Sequence, residues 1–251
     1  MWIPDTQLRR GVPVIHIRAA ANAIVEYLPD VIFVAGDWWD MPSLNKHNEA
    51  GSIHTEGTRI KDDIDFGNEQ FDILVAPMNK EIARREALHK RRWNPEREFL
   101  FGNHEHRLTR AIAAVPQFEG VLSLDMMKTP GFTRHPFLEI VEKDGIWFSH
   151  YFSNTLSGRA IGGSIDNRLN KIGHSFVQGH QQGRLYGSRQ FPGKVERHGL
   201  VAGSFYLHDE DYRDVQSNGE WRGIVIMNEV ANGKYDIMPL SMDYLLRKFG
   251  E

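Results

Sequence analysis

The chain contains no cysteine. This absence excludes a disulfide framework, a thiolate zinc site and a cysteine nucleophile. The sequence has 12 histidines, so imidazole, carboxylate and amide groups are the donors from which a metal site would be built. A chain of 251 residues can bury enough apolar surface to hold its own core, so we expect any metal to serve chemistry.

Long apolar runs are also missing. Even the run at residues 31–35 ends at Gly36, far short of the roughly 20 residues that cross a bilayer. The start of the sequence has neither the basic segment nor the apolar stretch of a signal peptide. We therefore expect a soluble cytoplasmic protein without a membrane partner, located in the host cytoplasm if its source is viral.

The chain has no strong excess of either charge, because 30 Lys and Arg face 33 Asp and Glu. A net charge of -3 argues against strong, diffuse attraction to nucleic acid. A local basic cluster at Arg84, Arg85 and residues 90–92 is more typical of a solvated helix face. Without repeats or linker-like tracts, the composition predicts a single domain over residues 1–251.

Helical and strand patterns alternate along the first two thirds of the chain, which predicts an α/β fold. The predicted helices span 12–28 and about 68–92, and the predicted strands span 30–35, 97–101, 145–149 and 175–178. Each of these strands ends at polar residues of the Asp, Asn or His type. Because ligands bind beyond the carboxyl ends of strands in open α/β sheets, we expect these side chains to converge on one site.

Two further segments complete the predicted organisation. Apolar stretches at 200–205, 223–227 and 235–238 predict consecutive antiparallel strands that extend a second sheet. The polar, glycine-containing segment 41–67 predicts a long surface loop near the crevice.

Five short polar motifs follow one another in a characteristic order. They are Asp5-Thr6-Gln7, Gly36-Asp37-Trp38-Trp39-Asp40, Gly102-Asn103-His104-Glu105, Ser149-His150 and Gly179-His180-Gln181-Gln182. In this order they resemble the calcineurin-like metallophosphoesterase superfamily, over residues 5–182. The segments 4–7 and 40–44 are similar to compact versions found in bacteriophage genomes. The resemblance implies a four-layer α/β/β/α sandwich of two mixed sheets.

The resemblance also implies two divalent metal ions, about 3.5–4 Å apart, that clamp a phosphoryl group. Mn is favoured, with Mg, Fe, Ni and Zn as alternatives that the donor types allow. Asp37 would bridge both ions, and Asp5 would belong to the second site. Asn103, His150 and His180 would complete the first site.

The second site departs from the usual pattern, because Gln7 and Gln182 stand where many members have histidine. A neutral amide oxygen is generally a weaker ligand than imidazole for zinc-like ions. The site beside Asp5 is then either rebuilt with oxygen donors for Mn or Mg, or weak and filled only with substrate. His16 could lend a nitrogen, although a helix histidine without a metal is the simpler interpretation.

The resemblance assigns His104 as a general acid that protonates the leaving oxygen after attack by a metal-bound hydroxide. Asp40 would accept a hydrogen bond from that imidazole and raise its pKa. Arg107 and Arg159 are the candidate cations for the substrate phosphate, and Arg168 is a weaker one. Protein phosphatases of the superfamily carry Arg at the position of Met41, which weighs against a phosphoprotein substrate.

The expected function is metal-dependent hydrolysis of a phosphoester, with a nucleotide or nucleic acid as an alternative substrate class. A phosphodiesterase or nuclease is slightly favoured over a phosphomonoesterase. The competing hypothesis is a scaffold or binding protein that keeps the fold but has only one firm metal site.

Trp38 and Trp39 are expected to pack in the core rather than to stack on a base. The histidines outside the motifs are expected to be structural or exposed; they are His106, His135, His174, His198 and His208.

Overall fold

The computed structural model describes residues 1–45, 57–209 and 219–250. Within these residues it contains two mixed β-sheets and five α-helices, which places the chain in the α/β class. The helices are α1 (Ile15–Tyr27), α2 (Ile60–Ala87), α3 (His106–Ala114), α4 (Ile165–Ile172) and α5 (Met242–Phe249). The strands are β1 (Trp2–Ile3), β2 (Val31–Val34), β3 (Glu96–Leu100), β4 (Thr133–His135), β5 (Val141–Lys143), β6 (Ile146–Ser149), β7 (Phe176–Gln178), β8 (Arg184–Phe191), β9 (Val195–Ala202), β10 (Gly223–Ala231) and β11 (Lys234–Ser241).

The larger sheet has the strand order β11-β10-β1-β2-β3-β4 among the described residues. Strands β1 to β4 run parallel to one another, and β10 joins β1 in the antiparallel sense. The two-residue strand β1 therefore occupies an interior position, where Trp2 and Ile3 are completely buried.

The smaller described sheet has the order β5-β6-β7-β9-β8. Strands β6, β7 and β9 are parallel, whereas β5 and β8 are antiparallel additions at its two edges. Both sheets thus contain a block of parallel strands, which reaches the β4 edge in the larger sheet and lies in the centre of the smaller one.

The two sheets pack face to face through a shared apolar cluster. Trp2 and Phe33 of the larger sheet meet Phe148 of the smaller one, and the rings of Phe33 and Phe148 stack at 4.1 Å. Such an aromatic pair adds to the free energy gained from burying apolar area.

Helices cover the two outer faces of the sheets. Residues of α1, α2 and α5 share one cluster with the larger sheet, and Leu169 of α4 packs with Phe176 and Val201 of the smaller sheet. Buried Ile17, Ala21 and Ile24 of α1 follow the helical spacing that the sequence predicted. These contacts are compatible with a sandwich of two sheets between helices.

Three predictions about secondary structure were wrong. The segment 41–67 is not a continuous loop, because Pro42–Leu44 form a 3-10 turn and α2 begins at Ile60; residues 46–56 lie outside the described residues. Helix α2 also ends at Ala87 rather than at 92. A glycine stands at position 67 within this helix because Trp39 packs directly against it: a Cβ there would lie 2.0 Å from the Trp39 ring.

The third error concerns the last strands. The apolar stretch that begins at 200 is the end of β9, which is parallel to β7 in the smaller sheet. Strands β10 and β11 are antiparallel to each other as predicted, but they extend the larger sheet. Apolar alternation does not reveal which sheet a strand joins, because either sheet offers an edge with an apolar face.

None of the helices in the described ranges combines the length and apolar character needed to cross a bilayer.

The carboxyl ends of the parallel strands in both sheets point to one region, since the polar residues that follow them contact one another there. The fold thereby brings together motif residues that are up to 175 positions apart in sequence.

Candidate metal and acid–base site

Three side chains with metal-ligating atoms converge at this edge of the sheets. Asp37 follows β2, His150 follows β6 and His180 follows β7. One ligand atom from each of the three lies within 4.8 Å of the others. The group could hold a divalent ion, because one carboxylate and two imidazoles suit such ions.

Hydrogen bonds orient His150 for this role. Its Nδ1 donates to the Ala35 carbonyl oxygen at 2.7 Å, so that Nε2 points to Asn103 Oδ1 at 2.9 Å and to Asp37 Oδ2 at 3.4 Å. Fixing one imidazole nitrogen on a backbone carbonyl is the usual way in which proteins orient a metal-binding histidine. Two oxygen acceptors facing one imidazole nitrogen require a cation between them, either a proton or a metal ion.

Asp5 lies beside this group and is completely buried. Its Oδ1 accepts the backbone N–H of His180 at 3.1 Å, while Oδ2 has no hydrogen-bond partner among the described residues. Gly179 makes this approach possible, because a Cβ there would lie 2.5 Å from Asp5 Oδ1. The carboxylate is thus fixed through one oxygen and available through the other.

Gln7 is buried on the same loop, and its Oε1 also lacks a partner within the described part of the chain. Gln182 is half-buried in the loop that follows β7. Buried polar oxygens are almost always hydrogen-bonded in folded proteins, so these oxygens of Asp5 and Gln7 are suited to bind a cation. The donor set fits a second, oxygen-rich cation site.

The electrostatics of the site follow from this crowding. Burial lowers the pKa of His150, but the charges of Asp37 and Asp5 outweigh that effect and raise it to about 10. Burial and the charge of His150 lower the pKa of His180 to about 4. Burial raises the pKa of Asp5, whereas the neighbouring imidazolium charges hold the pKa of Asp37 well below its usual range despite its burial. A proton on His150 therefore occupies the position that a metal charge would take.

His104 and Asp40 form the predicted pair. His104 Nδ1 lies 3.0 Å from Asp40 Oδ1, and its Nε2 lies 3.7 Å from Asp37 Oδ2. Burial lowers the pKa of His104, but the charge of Asp37 and the hydrogen bond to Asp40 raise it above the ordinary value. The second oxygen of Asp40 lies 3.4 Å from Arg9 Nη1, a contact that the sequence did not suggest.

Arg107 reaches the same pair, whereas Arg159 does not. Arg107 donates from Nη2 to His104 Nε2 at 3.0 Å and from Nη1 to the Asp40 carbonyl oxygen at 2.8 Å. Arg159 is exposed, and the described residues show no contact between its guanidinium group and the motif side chains. Arg168 is buried and donates to the carbonyl oxygens of Ile161 and Gly163, so it holds a loop rather than facing the site.

Glu105 has a positioning role that the sequence reasoning missed. Its buried carboxylate accepts four backbone N–H groups, at 2.6–3.1 Å, from Gly102, Asp37, Trp38 and Trp39. These bonds tie the loop after β2 to the loop after β3. The position of Glu105 directly after His104 in the motif was the one sequence feature that could have indicated a role. A sequence does not show which distant backbone amides a carboxylate will accept hydrogen bonds from.

The remaining predictions for this region concern the tryptophans and the other histidines. Trp38 and Trp39 are fully buried, and their indole N–H groups donate to the carbonyl oxygens of Gly67 and Ile64, which confirms core packing. The non-motif histidines pack on or bond to neighbours outside the metal group: His106 on Phe137, His135 with Glu98, His174 on Trp147, His198 with Tyr186 and His208 on Tyr206.

Comparison of the chain with protein-family models and with curated proteins finds no match. The residues of the site are what indicate a function: a possible Asp37, His150 and His180 metal-binding group, with Asp5 and the His104–Asp40 pair beside it.

Proposed function

We propose that the protein is a metal-dependent phosphoesterase of the calcineurin-like superfamily, with the four-layer metallophosphoesterase fold. The observation that carries the proposal is the convergence of a ligand group and a paired imidazole. The His104 ring lies between its Asp40 partner and Asp37, which is itself a member of the ligand group. A structural role for these loops would not require five titratable side chains, three buried and two half-buried, to lie against one another.

The donor atoms fit two divalent cations. Asp37, Asn103, His150 and His180 would supply mixed oxygen and nitrogen donors to one ion, and Asp5 would supply its second carboxylate oxygen to the other. When bound, such a pair supplies Lewis-acid activation of water and neutralises charge on the phosphoryl oxygens. Manganese is the best choice for this donor set, which lacks sulfur entirely.

His104 then acts as the general acid. Arginine can only donate, so His104 Nε2 accepts from Arg107 and Nδ1 carries the hydrogen donated to Asp40. To protonate a leaving oxygen, Nε2 must first gain a proton and release Arg107. A phosphate anion would draw the guanidinium to itself, because a charge-assisted bond to phosphate is stronger than one to a neutral imidazole.

A diester is the favoured substrate over a monoester. A diester carries one negative charge in neutral solution and a monoester carries close to two, so a monoester needs more cationic groups. Arg107 contacts both members of the acid pair, but the Nη1 atom of the other arginine there, Arg9, is already paired with Asp40 Oδ2. Met41 is completely buried and apolar where a protein phosphatase would have Arg. This difference also argues against phosphoprotein substrates.

The test is hydrolysis of nitrophenyl phosphate and of its bis-ester with Mn, Mg, Ni and Zn. We expect Mn-dependent turnover, faster for the bis-ester, that is abolished in Asp37→Asn. His104→Ala should lose about 10²–10⁴-fold with a poor alkoxide leaving group and much less with nitrophenolate, which departs without a proton. His174→Ala, a histidine stacked on Trp147, is the matched control and should retain activity.

The alternative is a scaffold with a single firm metal site, which the glutamine at position 7 favours. One ion per chain by metal analysis, together with no turnover on either ester in any metal, would establish that alternative. Undiminished alkyl-ester hydrolysis by His104→Ala would instead exclude only the assignment of the acid.

A further inference from the structure

His16 is a buried histidine whose ring makes no hydrogen bond to the described residues. It lies in the first turn of α1 with only 1% of its surface exposed, and neither ring nitrogen has a hydrogen-bond partner among the described residues. Its ring meets the Phe205 ring edge to face at 5.1 Å. A buried imidazole with both nitrogens unsatisfied is rare, and a missing ion or water is the ordinary explanation.

Phe205 connects this histidine to the second metal site. The Phe205 backbone N–H donates to the Asp5 carbonyl oxygen at 2.8 Å, so one residue contacts both His16 and Asp5. Asp5 Oδ2 and Gln7 Oε1 are the other buried oxygens in this stretch that have no partner among the described residues. Three buried side chains within twelve residues of sequence therefore present ligand atoms without a partner among the described residues, and Phe205 contacts two of these three residues.

We propose that His16 is a nitrogen ligand of the second metal ion, together with Asp5 and Gln7. This inference rests on the proposed dinuclear function. The imidazole would restore the nitrogen donor that is lost where glutamine stands in place of histidine. The site would then be a mixed nitrogen and oxygen site rather than an oxygen-only one.

Binding requires a small local movement. His16 is outside the group whose ligand atoms lie within 4.8 Å of one another, so its ring or the first turn of α1 must shift towards Asp5. That turn has no side-chain cap at Val14, and Gly11 precedes it in open surroundings. A helix start without a cap is held less firmly than a capped one.

Two variants separate the nitrogen atoms from the packing of the ring. His16→Phe keeps the aromatic contact with Phe205 and removes both donors. His16→Gln keeps an oxygen donor and removes the nitrogen. His174→Phe is the matched control, since the His174 ring also packs against an aromatic ring, that of Trp147, but lies outside the site. Mn²⁺ and Zn²⁺ binding to the full chain is measured by titration calorimetry and by metal analysis, with circular dichroism to verify folding.

We expect two Mn²⁺ ions per wild-type chain and per His174→Phe chain, and a second ion bound at least about tenfold more weakly by His16→Phe. His16→Gln should lose more affinity for Zn²⁺ than for Mn²⁺ at that site, because zinc prefers imidazole more strongly. If His16→Phe does not fold, the Zn²⁺ to Mn²⁺ affinity ratio of His16→Gln decides.

Unchanged second-ion affinity in a folded His16→Phe, or an unchanged metal ratio in His16→Gln, would overturn the inference and leave the proposed function intact. Fewer than two ions in the wild type would instead contradict the dinuclear function itself, and this inference with it.

Discussion

Replacing Glu105 by Gln removes one of two oxygens that hold the metal-site loops together. Oε1 accepts from the amides of Trp38 and Trp39, and Oε2 accepts from those of Asp37 and Gly102. A glutamine can offer its carbonyl oxygen to one of these pairs only. Its NH₂ group then faces the other two N–H donors, which cannot bond to it.

The expected loss of stability follows from these contacts. Leaving a buried donor unsatisfied costs about 1–3 kcal/mol, so two orphaned amides cost about 2–6 kcal/mol. Part of this loss is offset. Burial and the nearby charge of Asp37 raise the pKa of Glu105, so the buried carboxylate charge is itself unfavourable, and the neutral glutamine removes that charge. We therefore expect Glu105→Gln to lower the free energy of unfolding by about 2–4 kcal/mol.

Urea denaturation followed by circular dichroism measures this change, with Glu119→Gln as the control. Glu119 is exposed, and the same substitution there should change stability by less than about 0.5 kcal/mol. Because the loop that carries Asp37 is released, Mn²⁺ affinity should fall as well. A loss no larger than that of Glu119→Gln would refute the idea that Glu105 holds the two loops.

Three more changes test other parts of the structure. Gly102→Ala should abolish Mn²⁺ binding in calorimetry, since its Cβ would lie 2.2 Å from Asp37 Oδ1, whereas Gly162→Ala has space for a Cβ and should bind normally. Phe148→Ala should cost about 3–5 kcal/mol in urea unfolding, because it removes buried apolar area and leaves a cavity beside Phe33; a cost under about 1 kcal/mol would contradict the packing of the sheets. Burial and His208 lower the pKa of His16 from 6.5 to about 3, so the unfolded chain takes up a proton below pH 6.5 that the folded chain refuses. Stability should therefore fall by about 2 kcal/mol between about pH 7.5 and about pH 5, and His16→Phe should remove that part of the slope.

The placement of the site could be predicted from local sequence, because it depends on where strands end. Asp37, Asn103, His150 and His180 each come just after an apolar strand, and parallel strands deliver such residues to one edge. The pairing of His104 with Asp40 was predicted only through the resemblance of the motifs. It lies between residues 64 positions apart, which no local pattern specifies.

Other features could not be predicted, because they depend on distant partners. The interior position of β1 results from pairing with β2 on one side and β10 on the other, and Trp2 and Ile3 alone cannot indicate it. The start of α2 at Ile60 could not be predicted, because the first turns of this helix are polar. What holds those turns is a distant contact, the close packing of Gly67 against Trp39. Local polarity suggested a loop, whereas tertiary packing against the sheet stabilises a helix.

Backbone strain gives a separate reason to regard these loops as functional. Gln7, Asp37, Met41 and His180 all have left-handed φ values, between 43° and 61°. Such a conformation costs an ordinary residue about 1 kcal/mol or more, and glycine would adopt it without that cost. Elsewhere in the chain, left-handed residues such as Asp144 and Asn232 occupy tight hairpin turns, where Asn and Asp are common.

Three of the four motif positions differ from those turns, because Gln7, Asp37 and His180 carry polar side chains at the site, whereas Met41 packs in the core. Asp37 and His180 place ligand atoms in the metal group, and Gln7 presents a buried amide oxygen. The strain persists because neighbouring bonds hold the backbone, as the four amides on Glu105 do for the loop of Asp37. A left-handed φ alone does not mark a functional residue, since Leu28 at the end of α1 has one as well. At Asp37 and His180 the side chains bring ligand atoms to the metal group, which glycine could not do.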